Sequence, residues 1–232
     1  LVPEALFELG ERLSALDEPV QASSCYQALV DAHPGHVLAP RAHYGLGWCA
    51  YGAGDFDAAS RSLQRVVRSD AADEELRAAA LELTAWAQLG AGRPGEAAKA
   101  WEGFAQVSSD PVRVYQTGLA VAEAWRTAGK PGEALALLDR QAQRLGDADL
   151  SIETLVEGTY AALDASSLDA AEARLSDATK LARAGATAAP GEAPVGPVGL
   201  GDRGRLLRRR GLLCGRRPRP RRRPLPHGQL SG

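Results

Sequence analysis

The residues best suited to hold a metal are three histidines, His33, His36 and His43, followed by Cys49. A structural zinc site needs four such ligands at one point, and a helix supplies two of them at i and i+4. Pro34-Gly35 breaks the first pair into a turn, so this stretch reads as a polar link and no metal is expected. Phosphate binding would need a glycine-rich loop between a strand and a helix. Gly45-x-Gly47 and Gly52-Ala53-Gly54 follow no strand and read as packing and turn glycines. Ser, His and Asp all occur, but no spacing marks a nucleophile elbow. Asp73-Glu74-Glu75 suits the first turn of a helix, where negative charge meets the positive end of the helix dipole. The sequence therefore reads as having no catalytic centre and no cofactor: it is not expected to be an enzyme.

Composition favours close-packed helices. Hydrophobic residues make up 45% of the 232 residues but aromatics only 5%, so Ala and Leu carry the burial. The single isoleucine, Ile152, leaves little β-branched material for strands. Cys25, Cys49 and Cys214 form no C-x-x-C pair, and the first two fall on apolar helix faces as small core residues. No apolar run reaches the length of a membrane span. The net charge of −2 hides two unlike parts: residues 186–232 hold eleven Arg against Glu192 and Asp202, which leaves −11 on residues 1–185. The absence of Met and Asn, with only Lys99, Lys130 and Lys180 among the lysines, points to a GC-rich, bacterial source. A chain that starts at Leu1 without Met reads as a fragment.

What must position any site is a repeat. Gly-Asp-Phe-Asp-Ala-Ala at 54–59 returns as Gly-Arg-Pro-Gly-Glu-Ala at 92–97, as Gly-Lys-Pro-Gly-Glu-Ala at 129–134 and, more weakly, as Ser-Ser-Leu-Asp-Ala-Ala at 166–171. A period of about 37 residues means stacked supersecondary units. In the clearest copy a helix runs through Tyr44–Ala53, Gly54 ends it, and Asp55 caps a second helix. Ala59, Leu63, Val66 and Val67 give that second helix an apolar stripe. Gly47 and Ala59 fall where the two helices cross most closely. Pro94 and Pro131 occupy the first turn of the second helix in their units, where the missing N–H costs nothing. Five helical hairpins follow, at about 3–36, 40–73, 77–110, 112–147 and 151–184. Their expected buried sets include Leu6, Leu9, Gly10, Tyr26 and Leu29 in unit one and Leu81, Trp101 and Phe104 in unit three. Unit four offers Val121, Trp125 and Leu138, and unit five Val156, Thr159, Leu175 and Ala178.

These residues resemble the tetratricopeptide repeat. Leu46-Gly47, Tyr51, Gly54-Asp55-Phe56, Ala59 and Leu63 fall in the order of its pattern, and the likeness covers residues 1–185. His33-Pro34 with Ala39-Pro40-Arg41-Ala42-His43-Tyr44-Gly45-Leu46-Gly47 is similar to bacterial cell-envelope members, of the Tol–Pal-associated and outer-membrane-assembly lipoprotein type. The resemblance implies an all-α, right-handed superhelical solenoid that binds a protein or peptide along a concave wall made by the first helix of each unit. It also places the chain in the periplasm or envelope ahead of the cytoplasm. Aligned on the Gly-Asp turn, that wall carries Arg41, Tyr44, Trp48 and Tyr51 in unit two, and Glu82 and Trp86 in unit three. Unit four adds Glu123 and Arg126, and unit five Val156 and Tyr160. Aromatic anchors beside mixed charges suit capture of a peptide or helix. The other reading has Trp48, Tyr51 and Trp86 packing between units.

From about Gly185 the pattern dissolves into Pro, Gly and blocks such as Arg208-Arg209-Arg210 and Arg221-Arg222-Arg223. Such a segment buries too little apolar surface to order, so 186–232 is expected to be a disordered tail. Three readings fit it: an out-of-frame or wrongly predicted C-terminus, an arm for nucleic acid or an anionic surface, and an arm that folds back on the acidic repeats. Nucleic acid enters as a partner only through this tail.

Overall fold

A computed structural model describes residues 2–145 and 152–187. These form ten helices in chain order: α1 (Val2–Ala15), α2 (Pro19–Ala32), α3 (Ala39–Ala53), α4 (Phe56–Val67), α5 (Glu74–Gly90), α6 (Pro94–Val107), α7 (Pro111–Thr127), α8 (Pro131–Leu145), α9 (Ile152–Asp164) and α10 (Leu168–Thr187). Among the described residues there is no strand. The arginine-rich segment expected to be a tail, Cys214 with it, lies outside the described residues beyond Thr187.

One turn chemistry builds all five hairpins. The residue at each turn has positive φ: Asp17 at 63°, Gly54 at 80°, Gly92 at 71°, Gly129 at 73° and Ser166 at 59°. These positions lie one repeat apart, so the period seen in the sequence is the period of the turn. The residue after each turn donates its N–H five residues back, Glu18 to Leu13, Asp55 to Ala50, Arg93 to Gln88, Lys130 to Trp125 and Ser167 to Ala162. This Schellman closure satisfies a carbonyl that the helix end would leave unpaired. In unit two Asp55 then caps α4, its Oδ1 accepting from Ala58 N at 2.9 Å. Asp73 and Asp110 do the same for α5 and α7. Gly54→Ala is expected to cost about 1–2 kcal/mol, because an L side chain strains the left-handed backbone. Gly35→Ala, at ordinary φ with nothing near its Cβ position, serves as the unaffected control. Thermal denaturation of the two variants checks this.

The hairpins stack in order. Each helix packs on its sequence neighbours, and α1 also meets α3, α3 meets α5, α5 meets α7, and α7 meets α9. The even-numbered helices show no such packing on one another among the described residues. The first helices of the units therefore crowd together while the second helices spread, which curves the array with the odd-numbered row inside.

The spread outer row is spanned by long side chains. Asp57 Oδ1 meets Arg93 at 2.6 Å, Glu102 Oε1 meets Arg140 at 2.6 Å, and Asp139 pairs with Arg174. Each pair takes its acid from one unit and its arginine from the next, about one repeat later. Exposed pairs of this kind stabilise by less than about 1 kcal/mol each. Their regularity matters more than their strength.

The core is cut into clusters that straddle the unit junctions, as expected of an array stabilised by nearest neighbours. Ala22, Tyr26, Leu29, Ala39, Ala42 and Cys49 join units one and two. Leu63, Val66, Ala72, Ala80 and Leu83 join two and three. Trp101, Phe104, Val121, Leu137, Leu138 and Ala161 hold three to five. Close approach is visible at Gly47, where an added Cβ would sit 2.7 Å from Leu63 Cγ and 3.4 Å from the Ala59 carbonyl oxygen. Three residues expected in the core are not there: Leu9 is 48% exposed, Leu175 56% and Val156 36%. Leu9 and Leu175 belong to the first and last hairpins, which have a neighbouring unit on one side alone among the described residues. Val156 lies on α9 of that last hairpin. Cys25 is half-buried, against an expected core position.

Candidate functional site: the inner wall

The eight expected wall residues sit on α3, α5 and α7, and they are not used alike. Tyr44, Trp48 and Tyr51 lie on α3 at spacings of three and four, which put them on one face. They are half-buried against the cluster of Leu63, Val66 and Leu83, so part of each ring holds units two and three together. Trp48 and Tyr51 stand 5.9 Å apart between centroids, and Tyr51 reaches Phe56 at the same distance. Trp86 is half-buried on α5. Arg41 and Glu123 are exposed.

Glu82 and Arg126 instead cross between helices. Glu82, 14% exposed, pairs with Arg113 of α7, 27% exposed, and the Arg113 guanidinium lies 5.6 Å from the Phe104 ring centroid. Burial, then Glu82, pushes the Tyr44 hydroxyl above the ordinary phenol range, with Arg113 acting against them. Arg126 reaches α9: its Nε donates to Glu157 at 2.9 Å, its Nη1 to Asp164 at 3.2 Å, and it covers Tyr160 at 5.7 Å. The hydrogen bond that Arg126 donates to Glu157 raises the pKa of Arg126. The inner wall is thus an aromatic floor at units two and three, followed by an ionic run through units three to five.

Arg113, Glu157 and Asp164 were not among the expected wall residues. A signal existed: Glu82 with Arg113, and Arg126 with Glu157, are both 31 residues apart. Arg126 also reaches Asp164, 38 residues on, so the inner pairs join each unit to the next without one fixed offset.

The histidines do not gather. His36 Nε2 lies 3.3 Å from Glu4 Oε1, and its Nδ1 accepts from Leu38 N. His43 is half-buried on α3, and burial followed by Arg65 lowers its pKa. Cys49 is in the core between units one and two. Among the described residues no group of three or more His, Cys, Asp or Glu side chains is placed to hold a metal ion. No described helix is long and apolar enough to cross a membrane.

Stacked antiparallel helix pairs, curved with their first helices inside, define a helical-repeat solenoid. Residues 13–83 match the family described as "Tetratricopeptide repeat", and the described helices stack as a solenoid like those of such repeats. The crystal structure of MamA protein superposes with a TM-score of 0.59 over 83% of this chain and 98% of that one, at 14% identity. The apo form of RapI gives a TM-score of 0.54 at 12% identity, covering 79% of this chain and 71% of that chain. Nearly identical TPR-like repeats from Podosopora anserina give 0.53 at 18% identity, over 80% of this chain and 97% of that chain. At these identities the likeness is one of fold. A comparison with curated protein sequences finds no match.

Proposed function

We propose that the chain works by binding and not by chemistry, holding an extended peptide or a helix of a protein partner along its inner wall. The observation that supports this is the make-up of the first helices: Tyr44, Trp48, Tyr51 and Trp86 of α3 and α5 keep part of their surface exposed, and Arg41 of α3 and Glu123 of α7 are exposed. The floor is preformed, since its rings are already packed on the junction between units two and three, so a ligand finds little left to order. Aromatic anchors supply contact area at low entropic cost, and flanking charges of both signs fix register. Arg113–Glu82 and Arg126–Glu157 serve chiefly to hold successive inner helices in step.

The test is selection of peptides from a random library by the full chain, followed by titration of an enriched peptide into variants. Trp86→Ala and Tyr44→Ala are each expected to weaken binding by roughly ten-fold or more, the loss typical of an interface anchor. Circular dichroism is expected to keep its helical signal. Unchanged affinity in both variants overturns the inner-wall reading; lost helicity assigns the two rings to structure instead.

A further inference from the structure

The outer ladder of ion pairs has a gap. Asp57–Arg93, Glu102–Arg140 and Asp139–Arg174 join units two to three, three to four, and four to five. Among the described residues, units one and two have no such pair. The outer helix α2 offers Gln21, Ser24, Gln27 and Ala28 on its surface, and Asp31 is its one carboxylate. Asp31 takes a hydrogen bond from Gln27 Nε2 at 2.7 Å, and among the described residues no arginine pairs with it.

The arginines that would answer such acids are nonetheless present. Arg61, Arg65 and Arg68 stand on α4 and at its end, at i, i+4 and i+7, on one face and exposed. None of the three makes an ion pair among the described residues. Arg61 is near enough to help lower the pKa of Asp57, but Asp57 accepts its hydrogen bond from Arg93. All three line a cavity of about 580 Å³ together with His36, His43 and Gln64. No carboxylate lines it. The cavity lies at the edge where the unit links run, between the start of α3, the second half of α4 and the links around Gly35 and Ser69. Nearby carboxylates are few: Glu4 engages His36, and Asp31 acts on His43 from outside the lining.

We propose that this cavity is a second binding site, distinct from the inner wall, which takes the carboxylate side chains of a short acidic peptide. The peptide supplies the acids that α2 lacks and completes the ladder between units one and two. Guanidinium groups bind carboxylates through paired, charge-assisted hydrogen bonds, which suits three arginines set one turn apart. The volume falls in the range of small-ligand sites and admits a few side chains. The surroundings select against a long polyanion. Residues 1–185 carry a net −11, so a nucleic-acid backbone running beyond the cavity meets repulsion that a short peptide avoids.

The experiment is fluorescence anisotropy of a labelled Glu-rich peptide with the full chain, against a chain bearing Arg61→Gln, Arg65→Gln and Arg68→Gln. Both proteins keep the C-terminal arginines, so any contribution from those cancels. The triple variant is expected to bind roughly ten-fold more weakly, the sum of three partly exposed charge pairs. Its melting temperature should stay near that of the parent. In the parent the imidazole proton signals of His43 are expected to move on titration with the Glu-rich peptide, and to stay put with its Gln counterpart. Trp86→Ala is expected to bind the Glu-rich peptide normally, which separates this site from the inner wall. Equal binding by parent and triple variant overturns the proposal, as does equal binding of the Gln peptide. Displacement of the peptide by inorganic phosphate at comparable concentration also overturns it, in favour of a phosphate ligand.

Discussion

Trp101→Ala is expected to lower the unfolding free energy by about 4 kcal/mol, the toll of emptying a large aromatic site in a packed core. Trp101 is 1% exposed and sits in the cluster that joins units three, four and five. Its indole Nε1 donates to the Val114 carbonyl at 2.8 Å, so the ring also ties α6 to α7. Alanine removes the packing and the tie together. Phenylalanine restores much of the apolar contact and forfeits the hydrogen bond, so Trp101→Phe should recover most of the loss, falling short by about 1–2 kcal/mol. Because each unit is held by its neighbours, weakening this junction should also divide a single urea transition into two. Circular dichroism and Tyr fluorescence followed across urea would separate the halves. A single transition with a loss under about 1 kcal/mol would mean that the cluster around Trp101 is not what couples the last three units.

What could be read from residues alone depended on how local the physics is. The turns at Gly54, Gly92 and Gly129 were legible because positive φ, a Schellman closure and an N-cap are decided within about six residues. Ser166 follows the same rule with a residue that tolerates the conformation less well, so its copy of the motif is fainter. Burial of Tyr26, Trp101 and Phe104 was legible from helical spacing. Leu9 and Leu175 show the same apolar periodicity yet are exposed, since the stripe says which face would bury and not whether a neighbour is there. That the expected wall residues sit on the first helices was legible, but not which charges pair with which. Glu82 and Arg126 look like free charges in sequence; their partners lie 31 to 38 residues on in the next unit, and which side chains meet there is decided by the stacking of one inner helix on the next. The cationic cavity escaped notice for a related reason. Arg61, Arg65 and Arg68 resemble an ordinary solvated face until the ion pairs of the other junctions reveal what is missing opposite them.

Raising the pH above about 10 is expected to destabilise the fold through two phenols, Tyr26 and Tyr44. Burial, then the hydrogen bond to Glu11, pushes the Tyr26 hydroxyl above its ordinary value, and burial with Glu82 does so for Tyr44. Tyr26 is packed between Gly10 of α1 and Gly45 of α3, where an added Cβ would lie 2.6 Å from the ring, and its hydroxyl donates to the Glu11 carboxylate, beside which a phenolate is disfavoured. The sign follows from proton counting. Above pH 10 the unfolded chain releases both phenol protons while the folded chain keeps them, so the unfolded state binds fewer protons and stability falls as pH rises. Two such groups give a slope of up to about 2.7 kcal/mol per pH unit, or roughly 5 kcal/mol by pH 12. Below pH 10 they contribute no pH dependence. The check is urea unfolding at pH 8, 10, 11 and 12 for the parent and for Tyr26→Phe with Tyr44→Phe, whose rings cannot ionise (all pH values approximate, chosen to bracket the ordinary phenol value). The double variant should begin about 1–2 kcal/mol weaker at neutral pH, having lost the bond to Glu11, and then overtake the parent in alkali. Parallel curves for the two proteins would show that neither phenol is held protonated by the fold, and the tight seating of Tyr26 between units one and two would go with it.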